Sequence, residues 1–474
     1  MHWPANGDKV RLVRRDRPQR AVDLIEVDVA TGAIKTLLTD AVEGAAIEPK
    51  NVAYLKKGGD FLWWSQKTGW GMYYVYGFDG GEKHALTTGQ WNVNSIAKID
   101  STTGTVWLGG QGREAGEQLY QTHLYRVSGA GTGLTLLDPG NAHHAQSLGE
   151  GGAPSIVSPT GKYIYDNFSR MDLAPQSIVR DGVTGKQITK LEEMDLSKLK
   201  EIGFKFAETF SAKAADGVTE LYGNIYKPFD FDSTKKYPVI VYVYPGPQTE
   251  GMTTGFSVRQ PLIQLEQVAA RKPYVDLDKV GIFGHSGGGF MTAAAMLLPP
   301  YNDFFKVGWS ESGNHDNNIY NQNWSEWNHG VRIIAKSDSA TTGRGRAAGG
   351  AAGRRGGPAG DAGVGQAREV VSDSTNQDSI RFAIKVPTND ELAANLKGNL
   401  ALATGDLDNN VHPGGTIRLA NALIKANKRF DFFIYPGQPH GYRTTGPYNQ
   451  RMLMEYFAEH LLGDYYRASG EINK

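Results

Sequence analysis

Cysteine is absent from this 474-residue chain. The absence excludes disulfide bonds and thiolate metal sites, although it leaves the cellular compartment open. A net charge is absent too, because 50 basic residues balance 50 acidic ones. A nucleic-acid-binding surface usually needs a basic excess, so we predict no nucleic-acid partner.

Long hydrophobic runs are also missing. No apolar stretch approaches the roughly 18–20 residues of a membrane span, so we predict that this chain does not cross a membrane. The first twenty residues, MHWPANGDKVRLVRRDRPQR, are polar and charged and show no hydrophobic core of a signal peptide. From these residues alone, either the protein is cytoplasmic or the chain lacks its true start.

The first part of the chain is rich in predicted strands. Short apolar-aromatic runs such as MYYVYGFD alternate with turns of Gly, Asp, Asn and Thr. A related segment recurs with a period of roughly 50 residues, as GAIKTLLTD (32–40), GEKHALTTG (81–89), GTGLTLLDPG (131–140) and GKQITKLEE (185–193). This repeat predicts a partial β-propeller of about four blades over residues 1–215, with a β-sandwich as the alternative.

From about Val218 onward, apolar strands alternate with amphipathic helices. The alternation predicts an α/β domain with a mostly parallel sheet over residues 216–474. Residues 339–373 fit neither pattern, because they are rich in Gly, Ala and Arg and almost free of large apolar residues. We predict that this segment is a disordered surface insertion.

The stretch GIFGHSGGGF suggests a nucleophile. Gly284, His285, Ser286, Gly287 and Gly288 fit G-x-S-x-G between a predicted strand and a predicted helix, the setting of a nucleophile elbow. The flanking glycines are needed because side chains there would clash with neighbouring elements. The N–H that follows the serine can bind an oxyanion, and the helix N-terminus favours negative charge there.

A serine hydroxyl needs a base, and in this fold an acid and then a histidine follow the serine along the chain. Asp408 and His440 lie in loops after two later strands, where α/β sheets place their sites. His440 is the predicted base, and Asp408 would orient its ring. His412 is the rival base, but it lies only four residues after Asp408 on the same loop. Asp406 is expected to form a turn.

Tyr244, at the end of the strand in VIVYVYPGP, is a candidate second oxyanion donor. A tyrosine hydroxyl at this position can reach a tetrahedral oxyanion. An ordinary strand-end aromatic is the alternative.

Four segments in order, KKYPVIVYVYPGP, VDLDKVGIFGHSGGGF, GDLDNNVHP and FDFFIYPGQPHGY, resemble the catalytic domain of the prolyl oligopeptidase family of serine peptidases, and most closely its dipeptidyl-peptidase IV branch of the bacterial type. The segments VDLIEVDVATG, FLWWSQKTGWGMYYVY and GQWNVNSI resemble the propeller of the same branch. The resemblance implies a partial propeller followed by an α/β-hydrolase domain.

The resemblance also implies roles. Ser286 matches the nucleophile, Asp408 the triad acid and His440 the base, while Tyr244 and Gly287 match the oxyanion hole.

Four further residues match the substrate site. Asn410 would bind the substrate backbone near the P2 carbonyl, and Tyr320, Trp324 and Val411 would line a small pocket for proline. Trp324 stands where this branch usually has tyrosine. On spacing alone, Tyr320 and Trp324 are an i,i+4 pair that packs a helix face.

The function implied is hydrolysis of short peptides through an acyl-enzyme, with release of N-terminal dipeptides that have Pro or Ala at P1. A peptide is the expected partner, no metal or cofactor is implied, and a homodimer and a periplasmic or secreted location are compatible with the family. The alternatives are an esterase or acylaminoacyl-type hydrolase with the same triad, or a catalytically impaired remnant.

Two departures from the family stand out. The acidic pair that holds the substrate's amino group has no counterpart in the first 220 residues, since Glu192-Glu193 lies near the domain junction. Only about 35 residues separate Tyr244 from the strand before Ser286, roughly half of what the family has, so we expect a missing interior strand.

Overall fold

The computed structural model describes residues 1–4, 7–56, 59–145, 155–228, 230–246, 254–257, 273–334 and 381–464. The predicted insertion at 339–373 lies outside these residues. Within them, no helix has both the length and the apolar composition needed to cross a membrane.

The N-terminal half contains four antiparallel sheets that follow one another along the chain. The first two sheets consist of β1 (Lys9–Arg15), β2 (Ala21–Asp28) and β3 (Ile34–Ala41), and of β4 (Ala53–Tyr54), β5 (Phe61–Ser65), β6 (Met72–Tyr76) and β7 (Glu82–Ala85). The next two consist of β8 (Asn92–Asp100), β9 (Thr105–Gln111), β10 (Thr122–Ser128) and β11 (Thr135–Leu136), and of β12 (His143–His144), β13 (Ile156–Val157), β14 (Tyr163–Arg170), β15 (Leu173–Asp181) and β16 (Gln187–Glu193).

The sequence repeat marks the same position in each sheet. Its four copies contain β3, β7, β11 and β16, which are the last strands of the four sheets in chain order. The roughly 50-residue period therefore reports one sheet per repeat, as expected for propeller blades.

Apolar side chains join these sheets. One cluster spans the first three sheets and includes the fully buried Leu24, Phe61 and Leu108. A smaller cluster, with Leu124 and Ile164, joins the third sheet to the fourth. The period-2 alternation of the strands directs these residues inward.

A buried ionic network lies between the third and fourth sheets. The Asp166 carboxylate accepts hydrogen bonds from Arg180 Nε at 2.6 Å and from Ser155 Oγ at 3.1 Å, and it lies 2.8 Å from His144 Nδ1. Asp138, His144 and Asp166 bring potential metal-ligand atoms within 4.8 Å of one another. Ser155 Oγ donates to both Asp138 and Asp166, so a shared hydroxyl links the two carboxylates.

His123 belongs to the same region. Its Nε2 lies 2.8 Å from Glu117 Oε2, and its Nδ1 lies 3.3 Å from Asp138 Oδ1. Burial alone would lower the pKa of His123, but these two carboxylates outweigh it and raise the pKa to about 9. His123 is therefore a cation at neutral pH.

A short connection leads to the C-terminal half. It contains helix α1 (Ser197–Glu201) and a hairpin of β17 (Glu208–Lys213) and β18 (Glu220–Ile225), which forms its own two-stranded sheet. The predicted domain boundary between residues 215 and 216 falls in the turn of this hairpin and stays a prediction.

The C-terminal half is built on a five-stranded sheet in which all neighbouring strands are parallel. In spatial order its strands are β19 (Tyr237–Tyr242), β20 (Val275–His285), β21 (Val307–Glu311), β24 (Asn399–Gly405) and β25 (Asp431–Tyr435). A separate antiparallel pair is formed by β22 (Arg332–Ile334) and β23 (Arg381–Ala383).

Helices connect these strands. They are α2 (Gly287–Leu297), α3 (Tyr301–Phe304), α4 (Gln322–His329), α5 (Gly414–Lys425) and α6 (Gly446–Phe457), with a 3₁₀ segment at Asp390–Asn395 and a π-helical turn at Ala458–Leu462.

Strand β24 shows how the sheet is covered. Leu400 and Leu402 belong to an apolar cluster that includes residues of α2 and α5, while Ala401 and Ala403 belong to a second cluster that includes residues of α6. Successive side chains of a strand point to opposite faces, so the sheet is covered on both sides. This explains the continuously apolar strand segments of the sequence.

The expected missing strand does not interrupt the pairing of the two strands that flank the short segment. Strand β19 pairs directly with β20, with Val239 opposite Val280 and Tyr242 opposite Phe283. Within the described residues, no strand pairs with the other side of β19. The short segment before Ser286 therefore leaves the ladder beside the serine continuous.

Raising the pH should destabilise the N-terminal half through His123. Because the pKa of His123 is raised in the folded state, its contribution to stability is complete below about pH 6.5 and is lost as the pH rises through about 9. We expect the melting temperature of His123→Gln, followed by circular dichroism, to fall less between pH 7 and 10 than that of the wild type.

His143→Gln is the matched control. Burial, together with neighbouring His144 and His123, lowers the pKa of His143 to about 4, so this side chain is neutral throughout the range. Its variant should keep the wild-type slope, and an equal slope for His123→Gln would contradict the assignment.

Candidate active site

Ser286 occupies a strained turn between β20 and α2. Its backbone has φ 60° and ψ −121°, a conformation that non-glycine residues seldom adopt and that surrounding structure must hold in place. The Ser286 N–H donates to the Glu311 carbonyl at 2.8 Å, and its own carbonyl accepts from the Phe290 N–H at 3.0 Å. The turn is thus fastened to the end of β21 and to the first turn of α2.

The glycines around Ser286 allow a close approach of backbones. A Cβ at Gly288 would lie 2.1 Å from the Val243 carbonyl oxygen, and one at Gly284 would lie 2.5 Å from the same atom. A Cβ at Gly289 would lie 2.3 Å from the Glu311 carbonyl oxygen. The clash predicted for side chains in the elbow is therefore a clash with the ends of β19 and β21.

Asp408 and His440 form a hydrogen-bonded pair. His440 Nδ1 lies 2.7 Å from Asp408 Oδ2, while Asp408 Oδ1 accepts the N–H groups of Asn410 at 3.0 Å and Val411 at 2.8 Å. An ionised carboxylate only accepts, so Nδ1 is the donor and Nε2 of a neutral ring is left as an acceptor. This is the tautomer that a general base requires.

Hydrogen bonds keep Asp408 ionised despite its burial. Burial alone would raise the pKa of Asp408, but hydrogen bonds from His440, the Val411 N–H and the Ser312 hydroxyl hold the pKa below its ordinary value. The carboxylate therefore remains negative at neutral pH and can stabilise a positively charged imidazole.

The loop that carries His440 lies against the elbow. The His285 ring, which immediately precedes Ser286, is 4.5 Å from the His440 ring between centroids. Within the described residues, the Ser286 hydroxyl forms no hydrogen bond to His440. In apo structures such catalytic hydrogen bonds are often long and tighten only when substrate binds.

The rival residues have other contacts. His412 Nδ1 accepts the Gly414 N–H at 3.0 Å, and Asp406 Oδ1 accepts the Gly437 N–H at 2.6 Å. The His412 contact is local, whereas the Asp406 contact joins its loop to the loop after β25 rather than forming the expected turn within its own loop.

The predicted substrate residues lie beside the elbow. The Tyr320 hydroxyl donates to Asn410 Oδ1 at 2.9 Å, and its ring meets Trp324 edge-on with centroids 5.6 Å apart. A Cβ at Gly287 would lie 3.2 Å from Trp324 Cζ2, so the indole covers the first residue of α2. Val411 is buried.

Tyr320 and Trp324 do not share a helix. Tyr320 precedes α4, which begins at Gln322, so the pair is not an i,i+4 contact on one helix face. The side chain of Asn321 caps α4 by accepting the N–H groups of Asn323 and Trp324. Both rings are thus placed by a capped helix start.

Tyr244 lies two residues after the end of β19, near this group. Burial raises the pKa of Tyr320, and the Tyr244 phenol and the Asp408 carboxylate add to the rise. A Cβ at Gly288 would lie 3.7 Å from Tyr244 Cα, so Tyr244 lies beside the elbow. The structure therefore gathers the nine sequence-predicted residues around one edge of the sheet, while their individual roles stay predictions.

Sequence reasoning missed several supporting side chains. Glu311 Oε2 lies 3.4 Å from His285 Nδ1, and its Oε1 accepts from Trp309 Nε1 at 2.8 Å. The hydroxyls of Ser312 and Tyr442 lie 2.9 Å apart beneath the triad candidates. No motif spacing signals the His285–Glu311 and Ser312–Tyr442 contacts, because they join residues from different strands and loops.

Adding a methyl group at Gly288 should destabilise the elbow. In Gly288→Ala the new carbon would lie 2.1 Å from a backbone oxygen that cannot easily move. Overpacking typically costs 1–3 kcal/mol, so differential scanning fluorimetry should show a melting temperature lower by roughly 3–10 °C.

Gly415→Ala, in the first turn of α5, is the control, since a Cβ there meets nothing within 4 Å. It should leave the melting temperature unchanged or raise it slightly. A Gly288→Ala protein as stable as the control would contradict the close approach.

Comparisons with known proteins agree with this architecture. Residues 1–175 match the family model described as the dipeptidyl peptidase IV (DPP IV) N-terminal region, and residues 258–339 and 371–464 match that of the prolyl oligopeptidase family. Together the two matches cover well over half of the chain.

Individual relatives are distant in sequence. Human dipeptidyl peptidase 8 is 23% identical, in an alignment that covers 80% of this chain and 42% of that protein. Dipeptidyl peptidase 4 of Arthroderma otae is 24% identical, with 68% and 47% covered. The chain thus spans about half the length of these curated relatives.

A solved structure shares the fold. Porphyromonas gingivalis dipeptidyl peptidase 4 matches 97% of this chain with a TM-score of 0.71 at 20% identity, and 63% of that protein's chain is covered. The predicted fold class, propeller-type antiparallel sheets followed by an α/β-hydrolase domain, is confirmed. The chain belongs to the prolyl oligopeptidase family, with an N-terminal region of the dipeptidyl peptidase IV type.

Proposed function

We propose that this protein is a serine peptidase that hydrolyses short peptides through a covalent acyl-enzyme. The observation that carries the proposal is the 2.7 Å contact between His440 and the buried Asp408. The loop that carries His440 packs against the strained turn of Ser286. A serine in a nucleophile elbow becomes reactive when a histidine base, held in orientation by a carboxylate, lies beside it.

In the first half-reaction, the Ser286 oxygen attacks the carbonyl carbon of the scissile peptide bond. His440 Nε2 takes the hydroxyl proton, and Asp408 stabilises the imidazolium that results. The carbonyl oxygen becomes an oxyanion, which the Gly287 N–H and the Tyr244 hydroxyl bind. The intermediate collapses as the C–N bond breaks, and His440 gives its proton to the leaving amine.

In the second half-reaction, water replaces the amine. His440 removes a proton from the water while its oxygen attacks the acyl carbon, and the oxyanion again occupies the same donors. The intermediate expels the Ser286 oxygen, which regains a proton from His440. The products are a peptide carboxylate and the free enzyme.

The surroundings of Ser286 suit a small, ring-shaped P1 side chain. Tyr320 and Trp324 present two aromatic walls at an interplanar angle of 75°, and the buried Val411 lies on the Asp408 loop. A proline ring, or the smaller alanine methyl, fits apolar contact of this kind. Asn410 carries an amide that can donate to a substrate carbonyl near P2.

We propose that the enzyme releases N-terminal dipeptides, and the support for this specificity is the sequence similarity to the relatives. Those proteins are named dipeptidyl peptidases. The P1 pocket residues of this chain are compatible with that specificity.

Covalent labelling tests the nucleophile. A fluorophosphonate probe should label the wild-type protein, and Ser286→Ala should abolish labelling while leaving the fold intact by circular dichroism. A wild-type protein that resists the probe would instead support an impaired remnant.

Removing the charge of Asp408 tests the acid. Asp408→Asn should lower kcat by roughly 10⁴, because the amide favours the wrong tautomer of His440. Asp406→Asn is the matched control and should stay close to the wild-type rate, since within the described residues the Asp406 carboxylate accepts the Gly437 N–H and has no contact with His440. A near-normal rate for Asp408→Asn would move the acid to Asp406.

Substrate choice separates a peptidase from an esterase. We expect hydrolysis of Gly-Pro-anilide and Gly-Ala-anilide. Turnover of a short acyl ester without any Gly-Pro cleavage would support an esterase and contradict the dipeptidyl specificity.

A further inference from the structure

Two arginines, one at the end of β1 and one in the turn that follows it, reach across to α4 in the C-terminal half. Arg17 Nη2 lies 2.8 Å from Glu326 Oε1, and Arg17 Nε lies 3.2 Å from the same oxygen. The guanidinium also stacks over the Phe382 ring at 4.7 Å, and that of Arg15 lies 5.5 Å from the Trp327 ring. Helix α4 is therefore held by the first hairpin of the chain.

The Arg17–Glu326 pair is shielded from water. The Glu326 side chain is 6% exposed and that of Arg17 is 29% exposed. Gln322 Nε2 donates to the same Glu326 oxygen at 2.8 Å. Removing one partner of such a pair is far more damaging than removing an exposed partner, because a buried charge is left without compensation.

The other contacts of α4 lead to the elbow. Trp324 lies against Gly287 and Tyr320. The His329 ring is 6.0 Å from Trp324 and 6.1 Å from Phe290, a residue of α2. The helix therefore touches the N-terminal half through Glu326 and Trp327, and the turn of Ser286 through Trp324.

We infer that Arg17 is a positioning residue for the substrate pocket. By holding Glu326, it fixes α4 and keeps the Trp324 indole over Gly287, so the first hairpin of the N-terminal half sets the fit of the P1 side chain. This inference rests on the proposed peptidase function. It assigns to Arg17 an effect on substrate binding rather than on the reactivity of Ser286.

The test compares two substitutions at Arg17 with one at Arg14. Arg17→Met keeps the apolar stem and removes the charge, while Arg17→Lys keeps the charge and loses the guanidinium fork. Arg14→Met is the matched control, because Arg14 belongs to the same hairpin but pairs with Asp23 on an exposed surface. Each variant is assayed for anilide hydrolysis and for its rate of labelling by a small fluorophosphonate.

In Arg17→Met we expect kcat/KM for Gly-Pro-anilide to fall about 10- to 100-fold, mainly through KM. The preference for Gly-Pro over Gly-Ala should shrink, because the aromatic wall is no longer held in place. The labelling rate should stay within about two-fold of the wild type, since the small probe does not need the pocket. Arg17→Lys should lie between Arg17→Met and the wild type, and Arg14→Met should match the wild type.

A double variant covers the case in which Arg17→Met does not fold. Arg17→Met combined with Glu326→Gln leaves no unpaired charge and should restore folding, but it should keep the KM defect. A folded single or double variant with wild-type KM and wild-type Pro/Ala preference would overturn the inference. If the wild type shows neither labelling nor turnover, the proposed function fails instead, so the two failures are distinguishable.

Discussion

The candidate site depends on one constraint, the close approach of the elbow backbone to the ends of two neighbouring strands. The Val243 carbonyl occupies space that a Cβ at Gly284 or Gly288 would need, and the Glu311 carbonyl does the same at Gly289. This contact holds Ser286 in its strained conformation and brings the end of β19, with Tyr244, beside the start of α2. Because β19 pairs directly with β20, the approach survives although only a short segment separates the two strands.

A buried polar assembly is built on this backbone frame. The Asp408 side chain is buried, so hydrogen bonds from His440, Ser312 and the Val411 N–H stabilise its charge. The same bonds fix the ring of His440 and the loop that carries Asn410. Electrostatics and loop shape are therefore determined together, and a change at Asp408 affects both.

Much of this could be predicted from the sequence, for identifiable reasons. The elbow is local, since its strand, glycines and helix are contiguous, and the order of Ser286, Asp408 and His440 follows from the sheet topology. The repeat in the N-terminal half was visible in the sequence because each of its copies contains the last strand of one sheet. The Arg17–Glu326 and His285–Glu311 contacts could not be predicted, because no local pattern reports which distant residues tertiary packing joins. That β19 pairs directly with β20 could not be predicted either, because the short segment between them carries no signal of strand order.

The central claim is that Ser286, Gly287 and Tyr244 form one reaction centre. A crystal structure of the protein after reaction with a fluorophosphonate tests it most directly. The account predicts phosphorus bonded to Ser286 Oγ, with a phosphonyl oxygen about 2.7–3.1 Å from both the Gly287 nitrogen and the Tyr244 hydroxyl. An adduct on another residue, or a phosphonyl oxygen that points away from both donors, would contradict it.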